Sequence, residues 1–294
     1  MKEKSKGLIS KLPLVAANKS GWPWTRESIF VEASSYPRIT IVTPSFNQGE
    51  FIEETIRSVL LQNYPNLEYI IIDGGSTDDS TSIIKKYEPW LTYWVSEQDK
   101  GQSHAINKGL QRATGELSAY LNSDDVLVES TLFAIAASYS NSDSDVFYGH
   151  AYITNAKSKI RSISTAQPFT LEHYKYGLHQ INQPGSFWRH KAWQEIGAFN
   201  EENKTCMDGE FFLNLFHREY KFCRLDFPVS YFRIHMNSIT GSDRSKLVYE
   251  QDHRRLLKTY CQDSNLSAIA RIWMMMGYFF QRLISFRFIL FRLQ

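Results

Sequence analysis

The sequence predicts an α/β protein with a mostly parallel central sheet flanked by helices, followed by a C-terminal helical tail. From Arg38 onward, short apolar runs alternate with segments whose apolar residues recur at helical spacing. The run LEYIII lacks the alternation of polar and apolar residues that a half-solvated strand shows, which is typical of a strand covered on both faces. Strands that alternate with helices favour parallel pairing through right-handed crossovers.

The first predicted strand is RITIVTPSF, which is expected to break at Pro44, and the helix EFIEETIRSVLLQ follows it. Ile52, Ile56, Val59 and Leu60 give this helix one apolar face. The later elements alternate in the same way: strand LEYIIIDGGSTDDS, helix 77–87, strand LTYWVSE, helix SHAINKGLQRAT, strand ELSAYLNSDD and strand DVFYGHAYIT. Residues 165–260 alternate less regularly and are interpreted as a continuation of the same domain.

Composition excludes several classes of protein. Hydrophobic residues make up 43% and charged residues 22% of the 294 residues, which is ordinary for a globular protein. The net charge of +2 conceals an asymmetry, because residues 266–294 contain four arginines and no acid and leave the rest of the chain net negative. A nucleic-acid-binding surface needs a larger excess of basic residues, so no nucleic-acid partner is expected.

Cysteine content and hydropathy favour a cytoplasmic setting. Three scattered cysteines provide neither a disulfide framework nor a zinc site. The first residues include lysines but no long apolar run, so they do not resemble a signal peptide. No stretch reaches the roughly 18–20 consecutive apolar residues of a membrane span.

Four polar corners follow predicted strands, at Pro44–Asn47, Asp73–Ser76, Glu97–Gly101 and Asn122–Asp125. Ligands of open α/β sheets bind beyond the carboxyl ends of the strands, so these corners are expected to converge on one rim. The last corner, LNSDD, has two interpretations. It is either a tight turn, which Asn, Ser and Asp favour, or a site for a divalent cation, which prefers clustered oxygen ligands.

Three ordered segments resemble a known family: VTPSFNQGEFIEETIRSVLLQNYPNLEYIIIDGGSTDDS, DKGQSHAINKGLQRATGE and LNSDD. They resemble the family 2 glycosyltransferases with the GT-A fold, and the resemblance extends from about Arg38 to about Thr240. It implies a GT-A type single domain, a nucleotide-sugar donor that is usually a uridine diphosphate sugar, a Mn²⁺ or Mg²⁺ ion, and inversion at the anomeric carbon. We divide the chain into a lead-in (1–37), a glycosyltransferase domain (38–260) and an amphipathic helical tail (261–294).

The resemblance implies a nucleotide site on the first corners. Its candidate residues are Pro44, Ser45, Phe46, Asn47, Asp73, Asp99, Lys100 and Asp124. Asp73 is placed near the base, and Asp78 or Asp99 could share that contact, because Gly74 stands where many relatives carry a second acid. Gly74 and Gly75 are equally explained by a tight turn that needs a positive φ. Lys100 is either a partner of the diphosphate or a solvated surface lysine.

The implied metal ligands are Asp124, Asp125 and His235. Asp124 and Asp125 match the acidic motif of the family, in which Asn122 stands where many relatives carry another Asp. A cation held there would offset the charge that develops on the departing nucleoside diphosphate. His235 lies in FRIHMNSIT, which resembles a late motif whose histidine reaches the metal or the diphosphate, and a structural role is an equal alternative.

An inverting transfer needs a base to take the proton of the acceptor hydroxyl, and Asp208 in CMDGEFFLNLF aligns with that carboxylate. Capping of the helix N-terminus is the alternative role for Asp208. Glu210 aligns with a following acid and is placed on the acceptor side together with Gln183 and Trp188. A large aromatic residue such as Trp188 is also a common core side chain.

The tail sequence LSAIARIWMMMGYFFQRLISFRFILFRLQ is helical in pattern and unusually apolar, with most of its polar residues within about a third of the helix circumference. Such a face with scattered arginines suits peripheral contact with the inner surface of a membrane through residues 266–294, or with a partner helix. Packing on the domain and an oligomer contact are the alternatives. The segment GWPWT near the start is expected to pack on the catalytic domain.

The leading hypothesis is an inverting, metal-dependent glycosyltransferase that adds a hexose-type sugar to a glycan or lipid-linked acceptor in polysaccharide biosynthesis. A nucleotidyltransferase would carry a glycine- and lysine-rich loop after the first strand, and TPSFNQGEF has no such loop. A catalytically inactive relative that binds nucleotide-sugar, or that serves as scaffold in a membrane complex, is the other alternative. The departures from the family pattern at Gly74, at Asn122 and at Met207, which stands where many relatives carry a glutamate, leave that alternative open.

Overall fold

A computed structural model of the chain describes residues 7–178, 181–236, 238, 244–261 and 267–292, with the side chains of 244–246 and 281–292 outside the description. The chain divides into two compact units. Unit 1 comprises Met1–Asp143 and Phe187–Ala198, and unit 2 comprises Ser144–Ser186 and Phe199–Gln294.

The described strands and helices alternate over most of the chain. The strands are β1 (Ile39–Ser45), β2 (Leu67–Asp73), β3 (Tyr93–Ser96), β4 (Leu117–Tyr120), β5 (Val126–Leu127), β6 (Val146–Thr154), β7 (Ile160–Ser164), β8 (Ser186–Arg189) and β9 (Phe222–Arg233). The α-helices are α1 (Ile52–Leu60), α2 (Ser80–Tyr87), α3 (Gln102–Leu110), α4 (Thr131–Ser140), α5 (Leu171–Lys175), α6 (His190–Ile196), α7 (Met207–His217), α8 (Arg244–Tyr260) and α9 (Ala268–Arg292). Short 3₁₀ turns cover Leu8–Ser10, Glu88–Trp90 and Gln183–Gly185.

Unit 1 contains a parallel sheet in the order β3-β2-β1-β4, and β8 adds to β4 in the antiparallel direction. Every residue of β1 is buried, and so is every residue of β2 after Leu67, as expected of central strands covered on both faces. In α1, Ile52, Ile56, Val59 and Leu60 are buried, which confirms the predicted apolar face. The predicted α/β class is therefore confirmed.

Two predicted ends of strands shift in the structure. β1 does not break at Pro44 but continues to Ser45, because β4 stops pairing with β1 at Val42 and Pro44 has a strand neighbour only on the β2 side. The fourth strand ends at Tyr120 rather than running through LNSDD, and residues 122–125 turn the chain into β5.

Unit 2 departs from a purely parallel arrangement. β6 pairs in parallel with β9, with register shifts near His150, and in antiparallel with β7. The helix α8 is an element that the periodicity of the sequence did not indicate. The tail forms α9, as predicted, and this helix contacts β7. Among the helices in the described part of the chain, none combines the length and apolar character needed to cross a bilayer.

The lead-in of unit 1 is fastened to α1 by the buried guanidinium of Arg57. It donates to the carbonyl oxygens of Pro13 (3.2 Å), Pro23 (3.1 Å) and Trp24 (3.0 Å) and to the hydroxyl of Tyr87 (3.2 Å). The segment GWPWT thus packs on unit 1, as expected from the sequence, because one buried cation satisfies carbonyl groups that the lead-in would otherwise leave without donors.

Replacement of this cation should destabilise unit 1. Arg57→Met keeps much of the side-chain volume but removes every donor, so we expect the free energy of unfolding to fall by about 3 kcal/mol or more in urea titrations. Arg112→Met is the matched control, because Arg112 is exposed and its guanidinium stacks on Tyr93, an interaction of less than about 1 kcal/mol. Equal losses in both variants would contradict the anchoring role of Arg57.

Candidate functional site

The carboxyl ends of the first three strands of unit 1 lie in register. Ser45 pairs with Asp73, and Asp73 pairs with Ser96, so the corners that follow these strands share one edge of the sheet. Asp73 is fully buried there. Its carboxylate accepts hydrogen bonds from Gly75 N (3.2 Å), Ser76 N (2.9 Å), Ser76 Oγ (2.6 Å) and Ser96 Oγ (2.6 Å). The structure therefore uses Asp73 to hold the rim together, and its predicted contact with a base stays a prediction.

The first two corners are joined by reciprocal hydrogen bonds. Asn47 N donates to Ser76 Oγ (2.8 Å), and Thr77 N donates to Asn47 Oδ1 (2.9 Å). Asn47 has a positive φ of 52°, which asparagine tolerates better than most residues. Further along, Gly49 N donates to Asp78 Oδ2 (2.8 Å). These bonds leave the Asn47 side chain engaged within the protein.

Beside these joined corners lie two groups suited to a ligand. The side chain of Phe46 is 59% exposed at the end of β1, whereas most aromatic residues of unit 1 are buried or half-buried. Ser45 is buried, and its hydroxyl finds no hydrogen-bond partner among the described residues. A buried hydroxyl without a partner carries a desolvation cost that a bound polar group would relieve.

The glycine corner brings a second acid to the rim. Gly75 has a φ of +83°, which confirms the predicted left-handed turn. Gly74 lies close to the third corner, since a Cβ atom at this position would lie 2.7 Å from Asp99 Oδ2 and the Asp99 side chain would have to shift. Asp99 is held by the N–H of Gly101 (2.7 Å). Lys100, next to it, is exposed.

The LNSDD corner separates its two carboxylates. Asp125 is fully buried and its Oδ2 accepts a bond from Asn122 Nδ2 (3.3 Å), whereas Asp124 is partly exposed. Gln102 Nε2 donates to Asn122 Oδ1 (2.6 Å), and the Thr55 hydroxyl bonds to the carbonyl oxygen of Asp125 (2.7 Å). The segment is therefore a tight turn, as the first interpretation predicted, and its role as a cation site stays a prediction.

The described carboxylates of this rim could supply only part of the ligand shell of a divalent cation. Within the described residues, no group of three or more His, Cys, Asp or Glu side chains is placed to hold a metal. Asp124 still fits a cation that takes most of its ligands from water and substrate phosphates. His235 lies in unit 2, where its N–H donates to Ser238 Oγ (3.3 Å) and its carbonyl accepts from the same hydroxyl (2.8 Å). Its role as a ligand, like that of Asp125, stays a prediction.

In unit 2, Asp208 lies in the first turn of α7, where Cys206 occupies the cap position. Asp208 is therefore not the N-cap, although its Oδ1 accepts a bond from Gly209 N (2.9 Å). Burial raises the pKa of Asp208 above its ordinary value. The hydroxyl of Tyr174 lies against Gly209, and burial together with the charge of Asp208 raises the pKa of Tyr174 and of Tyr249.

Two residues further on, Glu210 has the opposite environment. Its carboxylate is buried and accepts bonds from Asn203 Nδ2 (2.6 Å), from Asn200 Nδ2 (3.2 Å) and from both terminal nitrogens of Arg255 on α8 (2.8 and 3.1 Å). Burial alone would raise the pKa of Glu210, but the bonds from Arg255, Asn203 and Asn200 lower it below its ordinary value. Glu210 thus joins α7 to α8, and its predicted place on the acceptor side stays a prediction.

The other two residues predicted on the acceptor side, Trp188 and Gln183, are both buried. Trp188 is 0% exposed, and its ring packs near Tyr120 in unit 1. It is a core side chain, which corrects its interpretation as an acceptor contact. Gln183 is buried in unit 2, where its carbonyl oxygen accepts a bond from Ser186 Oγ (2.8 Å). Its contact with an acceptor stays a prediction.

Sequence reasoning missed Asn200, Asn203 and Arg255, which hold Glu210, and Ser76 and Ser96, which hold Asp73. The serines follow strand ends and could have been found as donors for a buried acid. Arg255 lies 45 residues from its partner, and no local pattern of the sequence indicates that pair.

Comparison with known proteins identifies the family. The model of "Glycosyl transferase family 2" matches residues 40–212, more than half of the chain. An uncharacterized glycosyltransferase of Mycobacterium tuberculosis is 29% identical over 181 residues, which cover 61% of this chain and 69% of the relative.

Two relatives have names that state a pathway or a reaction. TuaG of Bacillus subtilis, named for teichuronic acid biosynthesis, is 40% identical over 92 residues, or 30% of this chain and 36% of TuaG. A Campylobacter jejuni enzyme, GalNAc(5)-diNAcBac-PP-undecaprenol beta-1,3-glucosyltransferase, is 31% identical over 100 residues, or 33% of this chain and 32% of the enzyme. These matches thus span about a third of each relative.

Solved structures share the fold. Staphylococcus aureus TarS in complex with UDP-GlcNAc matches 82% of this chain and 71% of its own, with a TM-score of 0.58 and 21% identity. The mannosyltransferase PcManGT of Pyrobaculum calidifontis, in complex with GDP-Man and Mn²⁺, matches 85% of this chain and 87% of its own, with a TM-score of 0.55 and 14% identity. The predicted GT-A type fold is confirmed.

The bonds between Glu210 and Arg255 should contribute to the stability of the fold. Arg255→Met leaves the buried carboxylate without its cation. We expect the free energy of unfolding at neutral pH to fall by about 1–3 kcal/mol. This range is kept small because the Arg255 side chain is 44% exposed, so solvent weakens the ion pair. Arg254→Met is the matched control on the same helix, since Arg254 forms only an exposed i,i+4 pair with Glu250 worth about 0.3–0.5 kcal/mol.

The stabilisation by the Glu210–Arg255 pair should depend on pH. Because the folded-state pKa of Glu210 is lowered, its stabilisation is present above the ordinary glutamate pKa and is lost as the pH falls through the lowered value. The difference between the parent chain and Arg255→Met in urea titrations should therefore shrink in acid. A difference independent of pH would contradict this role of the Glu210–Arg255 pair.

Proposed function

The chain belongs to glycosyl transferase family 2, and from this premise we propose that it transfers a sugar from a uridine diphosphate sugar to a glycan or lipid-linked acceptor, with inversion at the anomeric carbon. The product would be a surface polysaccharide or a lipid-linked glycan. The names of TuaG and of the Campylobacter enzyme support this class of product. The complexes of TarS with UDP and UDP-GlcNAc support the donor.

The observation that carries the proposal is the rim of unit 1. It presents an exposed ring at Phe46, a buried hydroxyl at Ser45 with no partner among the described residues, and a partly exposed carboxylate at Asp124. An aromatic face suits a nucleobase, and the hydroxyl suits its ribose or a polar edge of the base. Hydrogen bonds within the rim hold these groups in place before a ligand arrives, which limits the entropy lost on binding.

The carboxylate of Asp124 is the residue that would hold a Mn²⁺ or Mg²⁺ ion together with the phosphates of the donor. When bound, such an ion neutralises the charge that develops on the departing diphosphate. Asp125 keeps the turn in shape from its buried position, and Asn122 ties that turn to α3 through Gln102. The Mn²⁺ in the PcManGT complex supports this assignment.

Asp208 is proposed as the base of the transfer. It would accept the proton of the acceptor hydroxyl as that oxygen attacks the anomeric carbon, and the bond to the nucleoside diphosphate breaks on the opposite face. A raised pKa makes the carboxylate a better proton acceptor than an ordinary aspartate. The bonds between Glu210 and Arg255 fix the helix turn from which Asp208 projects.

The metal assignment is tested by Asp124→Ala. We expect this variant to lose the enhancement of UDP binding that Mn²⁺ gives the parent chain in isothermal titration, because its accessible carboxylate is gone. Asp226→Ala is the control, since Asp226 is an exposed acid paired with Arg224 in unit 2. UDP affinity of Asp124→Ala equal to that of the parent, with and without a chelator, would remove Asp124 as the ligand.

The base assignment is tested by Asp208→Asn. Donor binding should be kept, whereas kcat for transfer, or for hydrolysis of the best donor in a panel of nucleotide-sugars, should fall by about 10²–10⁴-fold. In the parent chain the rate should fall with decreasing pH through the raised pKa of Asp208, so the acid limb lies above the ordinary aspartate range. Tyr174, Cys206 and Tyr249, whose pKa values the charge of Asp208 helps to raise, do not titrate in that limb. Burial lowers the pKa of His253, which packs on Tyr174 and Tyr249, so the limb is assigned to Asp208 only if a His253→Gln variant keeps it.

A near-normal kcat in Asp208→Asn would exclude this residue as the base. If the parent chain binds donors but turns over none in the panel, the alternative of an inactive nucleotide-sugar-binding scaffold is favoured instead. Titration and turnover together therefore separate the two functions.

A further inference from the structure

The helix α9 exposes an unusual amount of apolar surface. Between positions 269 and 280, seven large apolar side chains are each more than half exposed: Ile269, Ile272, Trp273, Met275, Met276, Phe279 and Phe280. Single exposed apolar residues are common on proteins, but a contiguous set marks a surface that meets a partner.

The exposed side chains occupy one side of the helix. At 3.6 residues per turn they fall within an arc of about 160°, centred opposite the half-buried residues Ala270, Met274 and Tyr278. That opposite side rests on unit 2, where α9 contacts β7 and the guanidinium of Arg271 lies 5.8 Å from the ring centroid of Tyr176. A surface helix of a globular protein ordinarily turns its apolar stripe inward, whereas α9 leaves seven of its large apolar side chains exposed on the outer side.

Charge distinguishes among partners for this face. Residues 266–294 contain four arginines and no acid, whereas the rest of the chain is net negative. A second copy of the tail would bring two +4 segments together, which disfavours a symmetric pair. The exposed arc is also wider than the narrow seam of a coiled coil. The net positive charge of the tail favours anionic lipid headgroups, although Arg271 itself lies near Tyr176 on the side that faces unit 2. The acyl region accepts Trp, Phe, Met and Ile side chains.

We propose that α9 lies on the surface of an anionic lipid bilayer, with the face formed by Ile269, Ile272, Trp273, Met275, Met276, Phe279 and Phe280 inserted at the boundary between headgroups and acyl chains. The 25 residues of the helix extend about 37 Å along that surface. The proposal goes beyond sugar transfer and is independent of it, because it follows from exposure and charge alone.

Vesicle binding by the full chain tests the proposal. The chain should sediment with vesicles of mixed phosphatidylcholine and phosphatidylglycerol, less with pure phosphatidylcholine, and less again at high salt. The double variant Ile272→Ser/Phe279→Ser should bind at least about tenfold more weakly, because membrane affinity scales with buried apolar area. Leu14→Ser/Ile29→Ser is the control, since both residues are exposed and lie in the lead-in of unit 1. Equal losses in both double variants, or no preference for anionic vesicles, would overturn the proposal.

The conservative variant Trp273→Phe, which is expected to fold like the parent chain, tests whether this helix face contacts the acyl chains. Vesicles containing brominated acyl chains should quench tryptophan fluorescence of the parent chain and quench Trp273→Phe markedly less, since Trp273 is the tryptophan placed in the acyl boundary. Equal quenching of the two proteins would exclude this helix face. A lipid-free dimer that the Ile272→Ser/Phe279→Ser variant converts to monomer, in a chain that does not sediment with vesicles, would assign the face to a second copy.

Discussion

The rim of unit 1 depends on the buried carboxylate of Asp73. A buried acid needs donors, because a carboxylate left without them costs several kcal/mol. Asp73 collects its donors from Gly75, Ser76 and the end of β3, so the backbone of the glycine corner wraps around a single side chain. Ser76, fixed in this way, accepts the N–H of Asn47 and sets the first corner. The positions of the first two corners of the rim thus depend on the buried carboxylate of Asp73.

Neighbouring acids in this chain acquire different properties from their surroundings. Asp125 is buried and bonded to Asn122, while Asp124 beside it faces outward. Asp208 and Glu210 lie two positions apart on α7, yet burial raises the pKa of the first and hydrogen bonds from Arg255, Asn203 and Asn200 lower that of the second. Burial and hydrogen-bond donors, rather than residue type, thus set the different properties of these carboxylates.

What the sequence predicted well is local. The apolar runs of β1 and β2, the buried face of α1 and the positive φ of Gly75 follow from periodicity and residue type over a few positions. The role of Glu210 could not be predicted from local patterns, because its partner Arg255 lies 45 residues further along the chain. The helix α8, which carries Arg255, was not predicted either. The role of Trp188 was ambiguous for a related reason. A core tryptophan and a sugar-binding tryptophan differ only in the residues that pack around them, which the local sequence does not show.

The absence of a side chain at Gly74 couples two positions of the chain. The space that a Cβ atom would need is already occupied by a carboxylate oxygen of Asp99, so the rim holds an acid delivered from position 99 and has no room for one delivered from position 74. An acid at position 74 would require the Asp99 carboxylate to move aside. The two sites are therefore expected to change together, and a consensus-guided redesign that altered only the glycine would introduce a clash.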